Sequence, residues 1–123
     1  MLKNRSQLFS ALGVKKEETL SLVLKAYGIE NVELLPGMIQ LENYKGESQN
    51  FTFPMFLEEF MTYLKSSRDV MIRSTLDHLN LEYTIQNVFY MNEEEFNVTL
   101  VLPNKQVKDV VVNFIEKEII DYV

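Results

Sequence analysis

Few residues in this chain could make or break a bond. His78 is the only histidine and there is no cysteine, so thiol catalysis, disulfides, zinc ribbons and iron–sulfur clusters have no residues to build on. Any catalytic triad would have to use His78, and its neighbour Asp77 points in another direction on a helix. No Gly-x-Ser-x-Gly elbow supplies a nucleophile. A cation near a helix C-terminus, favoured by the dipole, is the reading His78 supports.

Carboxylates are the next resource. Glu58 and Glu59 are helix neighbours that diverge by about 100°, so they cannot share one ion. Glu93, Glu94 and Glu95 fall on a hairpin tip, too open to water to raise their pKa values as an acid catalyst requires. Glu42 and Lys45 end a predicted strand, but the spacing and the missing upstream aspartate do not fit a metal-dependent nuclease. The four glycines, Gly13, Gly28, Gly37 and Gly46, stand singly and form no phosphate-binding loop. No catalytic residue, metal or cofactor is expected.

Charge points to partners instead. The 123 residues carry 12 Lys+Arg against 18 Asp+Glu, a formal net charge of −6. Residues 1–25 hold five bases and two acids, while residues 26–64 hold one base and six acids and residues 81–123 hold three and eight. Such an acidic body repels phosphate backbones, and nucleic acid could be met only at the basic N-terminal segment. Lysine outnumbers arginine nine to three, as in proteins of AT-rich bacterial or phage genomes.

That segment has one DNA-binding form. Leu8 to Val14 reads like the first helix and turn of a helix-turn-helix, with Thr19 to Leu24 continuing into a second. Within residues 6–27 and just before them, Lys3, Arg5, Lys15, Lys16 and Lys25 would meet phosphates, but Glu17 and Glu18 at the start of the second helix would repel them. A transcriptional regulator is therefore the alternative function.

The other distinctive feature is apolar. Phe51, Phe53, Met55, Phe56, Phe60, Met61 and Tyr63 crowd thirteen positions and cover more than one helical face. Either the whole cluster is core, or Leu57, Met61 and Leu64 pack inward while Phe56, Phe60 and Tyr63 flank that stripe and stay partly exposed. Methionine and aromatic side chains suit protein-binding surfaces because they combine large area with adaptable shape. A dimer interface would use them equally well.

The elements that must position these residues follow from periodicity. Helices are expected from Asn4 or Ser6 to Leu12 and from Lys15 to Tyr27. Two antiparallel strands flank the Pro36-Gly37 turn, with a polar loop from Lys45 to Asn50 and a short third strand at Phe51 to Phe53. Pro54 opens a helical pattern that runs to Leu79, as one bent helix or as two broken at Ser66-Ser67-Arg68-Asp69. Tyr83 to Met91 and Phe96 to Leu102 form the clearest hairpin, with Phe96, Val98, Leu100 and Leu102 on one face. Asn104 then caps a final helix from Lys105 to Tyr122, with Val107, Val111, Phe114 or Ile115, Ile119 and Tyr122 inward.

The expected fold class is α+β: a two-layer domain with a mainly antiparallel sheet of four or five strands covered by helices, in the order α-α-β-β-(β)-α-β-β-α. One domain spans residues 1–123, with a helical hairpin in 1–28 and the sheet with long central and C-terminal helices in 29–123. This element order, the size and the acidity are similar to those of bacterial type III secretion chaperones, small dimeric binders of unfolded effector segments. No motif residue carries the likeness, and the two N-terminal helices depart from it.

The function read from these residues is a non-enzymatic protein-binding module. Phe56, Phe60 and Tyr63 supply contact area, and acidic rims at Glu58, Glu59 and Glu93 to Glu95 steer it to a protein with a basic surface. A phage or mobile-element inhibitor or adaptor, acting stoichiometrically in the cytoplasm, is its most concrete form. No apolar run reaches the length of a membrane span, and no signal-peptide core stands at the N-terminus.

Overall fold

The computed structural model describes residues 1–122 as a mixed helix and strand chain with two antiparallel sheets. It divides into two compact units, Met1–Arg68 and Asp69–Val123, whose boundary falls inside the longest helix.

The first unit opens with α1 (Arg5–Ala11), capped by the Asn4 side chain, which accepts from the Gln7 N–H at 3.0 Å. Gly13, with φ +70°, lets the chain turn into α2 (Glu17–Lys25). Strands β1 (Ile29–Leu35), β2 (Met38–Asn43) and β3 (Ser48–Thr52) form a three-stranded meander in that order. Leu35 pairs with Met38 across Pro36-Gly37, so the two-residue turn expected there is present. The polar loop expected over Lys45 to Asn50 is shorter, since Ser48–Asn50 pair with β2 and the third strand, expected at Phe51 to Phe53, starts earlier and covers Ser48–Thr52. The Asn43 side chain accepts the N–H groups of Lys45 and Glu47, closing that turn without a longer loop.

Pro54 does not open the helix. It follows Phe53 through a cis bond, Met55 bridges to Leu2, and α3 begins at Leu57. From there α3 (Leu57–Leu76) runs unbroken through Ser66–Asp69 and ends in a single 3-10 turn at Asp77–Leu79. Leu8, Leu20, Leu24, Ile39, Leu41, Phe60 and Leu64 make up the core of the first unit.

In the second unit, β4 (Thr84–Tyr90), β5 (Glu95–Val101), β6 (Val107–Asn113) and β7 (Glu118–Tyr122) form a four-stranded antiparallel meander. The β4–β5 hairpin is the expected one, and Phe96, Val98 and Leu100 are fully buried. The final helix over Lys105 to Tyr122 is corrected: the segment is two strands. Val110, Val112 and Phe114 alternate onto the buried face, where three β-branched or aromatic side chains pack better than on a helix. Asn104 closes the β5–β6 turn by accepting the Gln106 N–H at 3.0 Å, and the Asn113 side chain accepts both Ile115 N–H and Glu116 N–H at 2.9 Å. Lys105 and Lys117 take φ of +67° and +58° to complete these turns. The expected order α-α-β-β-β-α-β-β thus holds through β5, the last helix is replaced by β6 and β7, and two sheets replace the single sheet. Among the described residues no helix is long and apolar enough to cross a membrane.

Candidate protein-binding surface

The aromatic cluster at the start of α3 is only partly a surface. Phe56 is 52% exposed, and Glu58 and Glu59 are exposed beside it. Phe60 is corrected from a surface residue to core, with 0% exposure. The buried stripe of α3 runs Phe60, Leu64, Ser67, Met71 rather than through Leu57 and Met61, which are half-buried on its flank. The Phe51 ring holds this arrangement, edge-on to Phe60 with centroids 5.1 Å apart and tilted to Tyr63 at 5.5 Å. Tyr63 is half-buried, and burial, with a smaller push from Glu47, raises its phenol above the ordinary value of 10.0. Of the three ring-bearing residues, Phe56 alone is exposed.

A stronger surface lies at one end of the four-stranded sheet. Phe89 and Tyr90 close β4 and Met91 follows directly; they are 61%, 54% and 46% exposed. Phe89 pairs with Asn97 and Tyr90 with Phe96, so the two rings project from opposite faces of the edge strand. Tyr90 is anchored nonetheless. Its ring stacks on Phe114 and meets Phe96 edge-on, each at 6.1 Å, while Phe96 and Phe114 lie 4.7 Å apart.

The glutamates lie directly beyond. Asn92 organises the tip, with its Oδ1 accepting the Glu94 N–H and its Nδ2 donating to Glu95 Oε1, both at 2.8 Å. The Glu94 carbonyl accepts the Phe114 N–H at 2.9 Å, which ties the tip to the β6–β7 turn and brings half-exposed Ile115 to the same end. Glu93 and Glu94 are exposed, whereas Glu95 is half-buried in the turn's own hydrogen bonding. The structure thus places Glu93 and Glu94 beside exposed apolar side chains at this end of the sheet, Phe89 on one face of β4 and Tyr90 on the other, with Met91 and Ile115 at the same end. The signal for it was in the sequence: three large apolar residues in a row end a strand whose alternation can bury only every second one.

The alternative basic residues lie in the first unit. Arg5 and Lys15 line a cleft of about 540 Å³ with Ser6, Phe9 and Ser10. Arg5 is already engaged, donating to the Leu35 carbonyl at 3.2 Å and pairing with Glu17 at 3.8 Å. Lys3, Lys15 and Lys16 are exposed and Lys25 is half-buried. Lys16 occupies the N-cap of α2 without a side-chain bond, directly before Glu17 and Glu18.

A second cleft of about 450 Å³ lies on the polar face of the three-stranded sheet, where Asn31 donates to Glu42 at 2.7 Å beside Glu33, Gln40 and Ser48. His78 is exposed in the 3-10 turn, and its neighbour Asp77 accepts the Tyr83 hydroxyl at 3.2 Å. Burial first, then Asp77, raises the Tyr83 phenol above its ordinary value of 10.0. Among the described residues no group of three or more His, Asp or Glu side chains is placed to hold a metal ion.

Comparison of the chain with protein-family models, with curated proteins and with solved structures finds no match.

Proposed function

We propose that this chain is a non-enzymatic protein-binding module that grips a basic partner stoichiometrically through Phe89, Tyr90 and Met91, with Glu93 and Glu94 at the rim. The observation that carries this reading is the exposure of those three consecutive apolar side chains on a tip fixed by Asn92 and Phe114. Covering such a side chain fully is worth about 1.5–3 kcal/mol, and anchored aromatics lose little freedom when they bind. Carboxylates at the rim speed encounter with a positive surface and favour it over acidic competitors. Phe56 with Glu58 and Glu59 offers a smaller surface of the same chemistry. An inhibitor or adaptor of phage or mobile-element type, covering a groove built for nucleic acid, is the role this chemistry suits.

The test is affinity capture with the immobilised chain, wild type against the Phe89→Ser/Met91→Ser double variant. A basic protein retained by the wild type, released by salt and lost from the variant supports the module. Equal capture by both chains contradicts it. The DNA-binding alternative makes the opposite prediction: retention on a heparin column that disappears with Lys15→Glu/Lys16→Glu.

A further inference from the structure

We infer that the open edge of β4 accepts an extended segment of the partner as an added strand, apolar in its middle and basic at the end lying beside the glutamate tip. This rests on the protein-binding reading above and names the part of the partner that is held.

The backbone provides the sites. In an antiparallel pair the hydrogen-bonded residue pairs alternate. The Met91 N–H bonds the Glu95 carbonyl, so Phe89 and Asn87, in the same phase, bond across to Asn97 and Thr99. Val88 and Tyr90 then turn their N–H and C=O groups away from β5. β4 is the end strand of its sheet, and among the described residues β5 is its one strand neighbour. The register shift at Gln86 confines this regular edge to Asn87–Tyr90.

The side chains around it lack the usual protection of an edge. From Tyr83 to Met91 there is no charged residue and no proline, whereas β7 carries Glu118 and Asp121 and β1 carries Glu30 and Glu33. β3 is also uncharged, but its exposed residues Ser48, Gln49, Asn50 and Thr52 are polar, and its one apolar residue, Phe51, is half-buried against Phe60 and Tyr63. On β4, a residue added opposite Tyr90 would cover that half-exposed ring, and one added opposite Phe89 would pack on the other face. Beyond the neutral stretch stand Glu82 at one end and Glu93 and Glu94 at the other. A second copy of this chain carries acid at those same positions and a net charge of −6. Charge complementarity therefore selects a basic segment over self-pairing.

The probe is a synthetic peptide of two lysines, three Val-Thr repeats and two lysines, added to the full chain, with amide hydrogen exchange read residue by residue. The expected result is exchange slowed by about tenfold or more at Val88 and Tyr90, with Phe89, already bonded to β5, unchanged. N-methylation of the probe on the edge that faces β4 weakens binding by about tenfold or more, while methylation of its opposite edge leaves it unchanged. The Val88→Pro variant, which removes an outward N–H, loses the probe equally. The methylated probes leave the protein intact, so they decide the matter even if Val88→Pro fails to fold.

Three results overturn strand addition: no protection at Val88 and Tyr90, equal binding by all probes, or protection that grows with protein concentration alone, which would mean a second copy occupies the edge. Each leaves the side-chain surface standing. That surface is lost separately, if Phe89→Ser/Met91→Ser captures the basic partner undiminished.

Discussion

The ring of Tyr90 lies 6.1 Å from that of Phe114 and 27° from parallel, yet Tyr90 is 54% exposed while Phe114 is 2% exposed. One residue of this pair is core and the other presents the core's edge to solvent. Phe114→Ala is expected to cost about 3–5 kcal/mol of stability through lost burial and the cavity left behind. Phe89→Ala, outside the core, is expected to stay within about 0.5 kcal/mol. Urea unfolding of the two variants checks the contrast.

The turn after β6 depends on one side chain. Asn113 Oδ1 accepts two backbone N–H groups, from Ile115 and Glu116, each at 2.9 Å, and Asn113 is itself buried. Asn113→Ala is expected to cost about 1–3 kcal/mol, since both donors lose their acceptor. Asn113→Asp keeps the acceptor and should lose much less, as measured by the same unfolding experiment.

Two phenols set an alkaline limit. Tyr63 and Tyr83 have folded-state pKa values raised above 10.0, chiefly by burial, so the folded protein holds these protons more tightly than the unfolded chain. Their contribution to stability is fully present below the unfolded value and is lost as pH rises through the folded values. Stability from this source should be flat up to about pH 9 and fall above pH 10. Tyr83→Phe should flatten part of that fall, and a phenolate absorbance titration should show two tyrosines ionising late.

The last strands test the corrected reading of the C-terminus. Val112→Ala, at a position that is 1% exposed, should destabilise by about 1.5–3 kcal/mol. Were the segment helical, alanine would raise its propensity. Circular dichroism should show helix limited to α1, α2 and α3 and no gain of helix in the variant.

Much of the fold was legible because some segments satisfy only one period. Phe96, Val98 and Leu100 alternate cleanly, and Pro36-Gly37 leaves a hairpin as its one short connection. The segment from Lys105 to Tyr122 satisfies two periods at once. Val107, Val111, Phe114 and Tyr122 fit a helical stripe, while Val110, Val112 and Phe114 fit a strand, and packing on the sheet decides for the strand. Phe60 was misplaced for a similar reason: the apolar surface of α3 is wide enough that Leu57-Met61-Leu64 and Phe60-Leu64-Met71 both look like its inner stripe. At the candidate surface, Glu93 and Glu94 were legible from their place on a hairpin tip. Phe89, Tyr90 and Met91 left a trace in their unbroken apolar run, but which of them stay exposed depends on β4 being an edge strand, and strand order is a long-range property.

The most direct measurement is the dissociation constant of the captured basic protein for the wild-type chain and for Phe89→Ser/Met91→Ser, at matched folding stability. The account predicts one-to-one binding by the wild type that weakens with salt, and a loss of about a hundredfold in the variant. Equal affinity in both chains, or binding lost only with Lys15→Glu/Lys16→Glu, would contradict it.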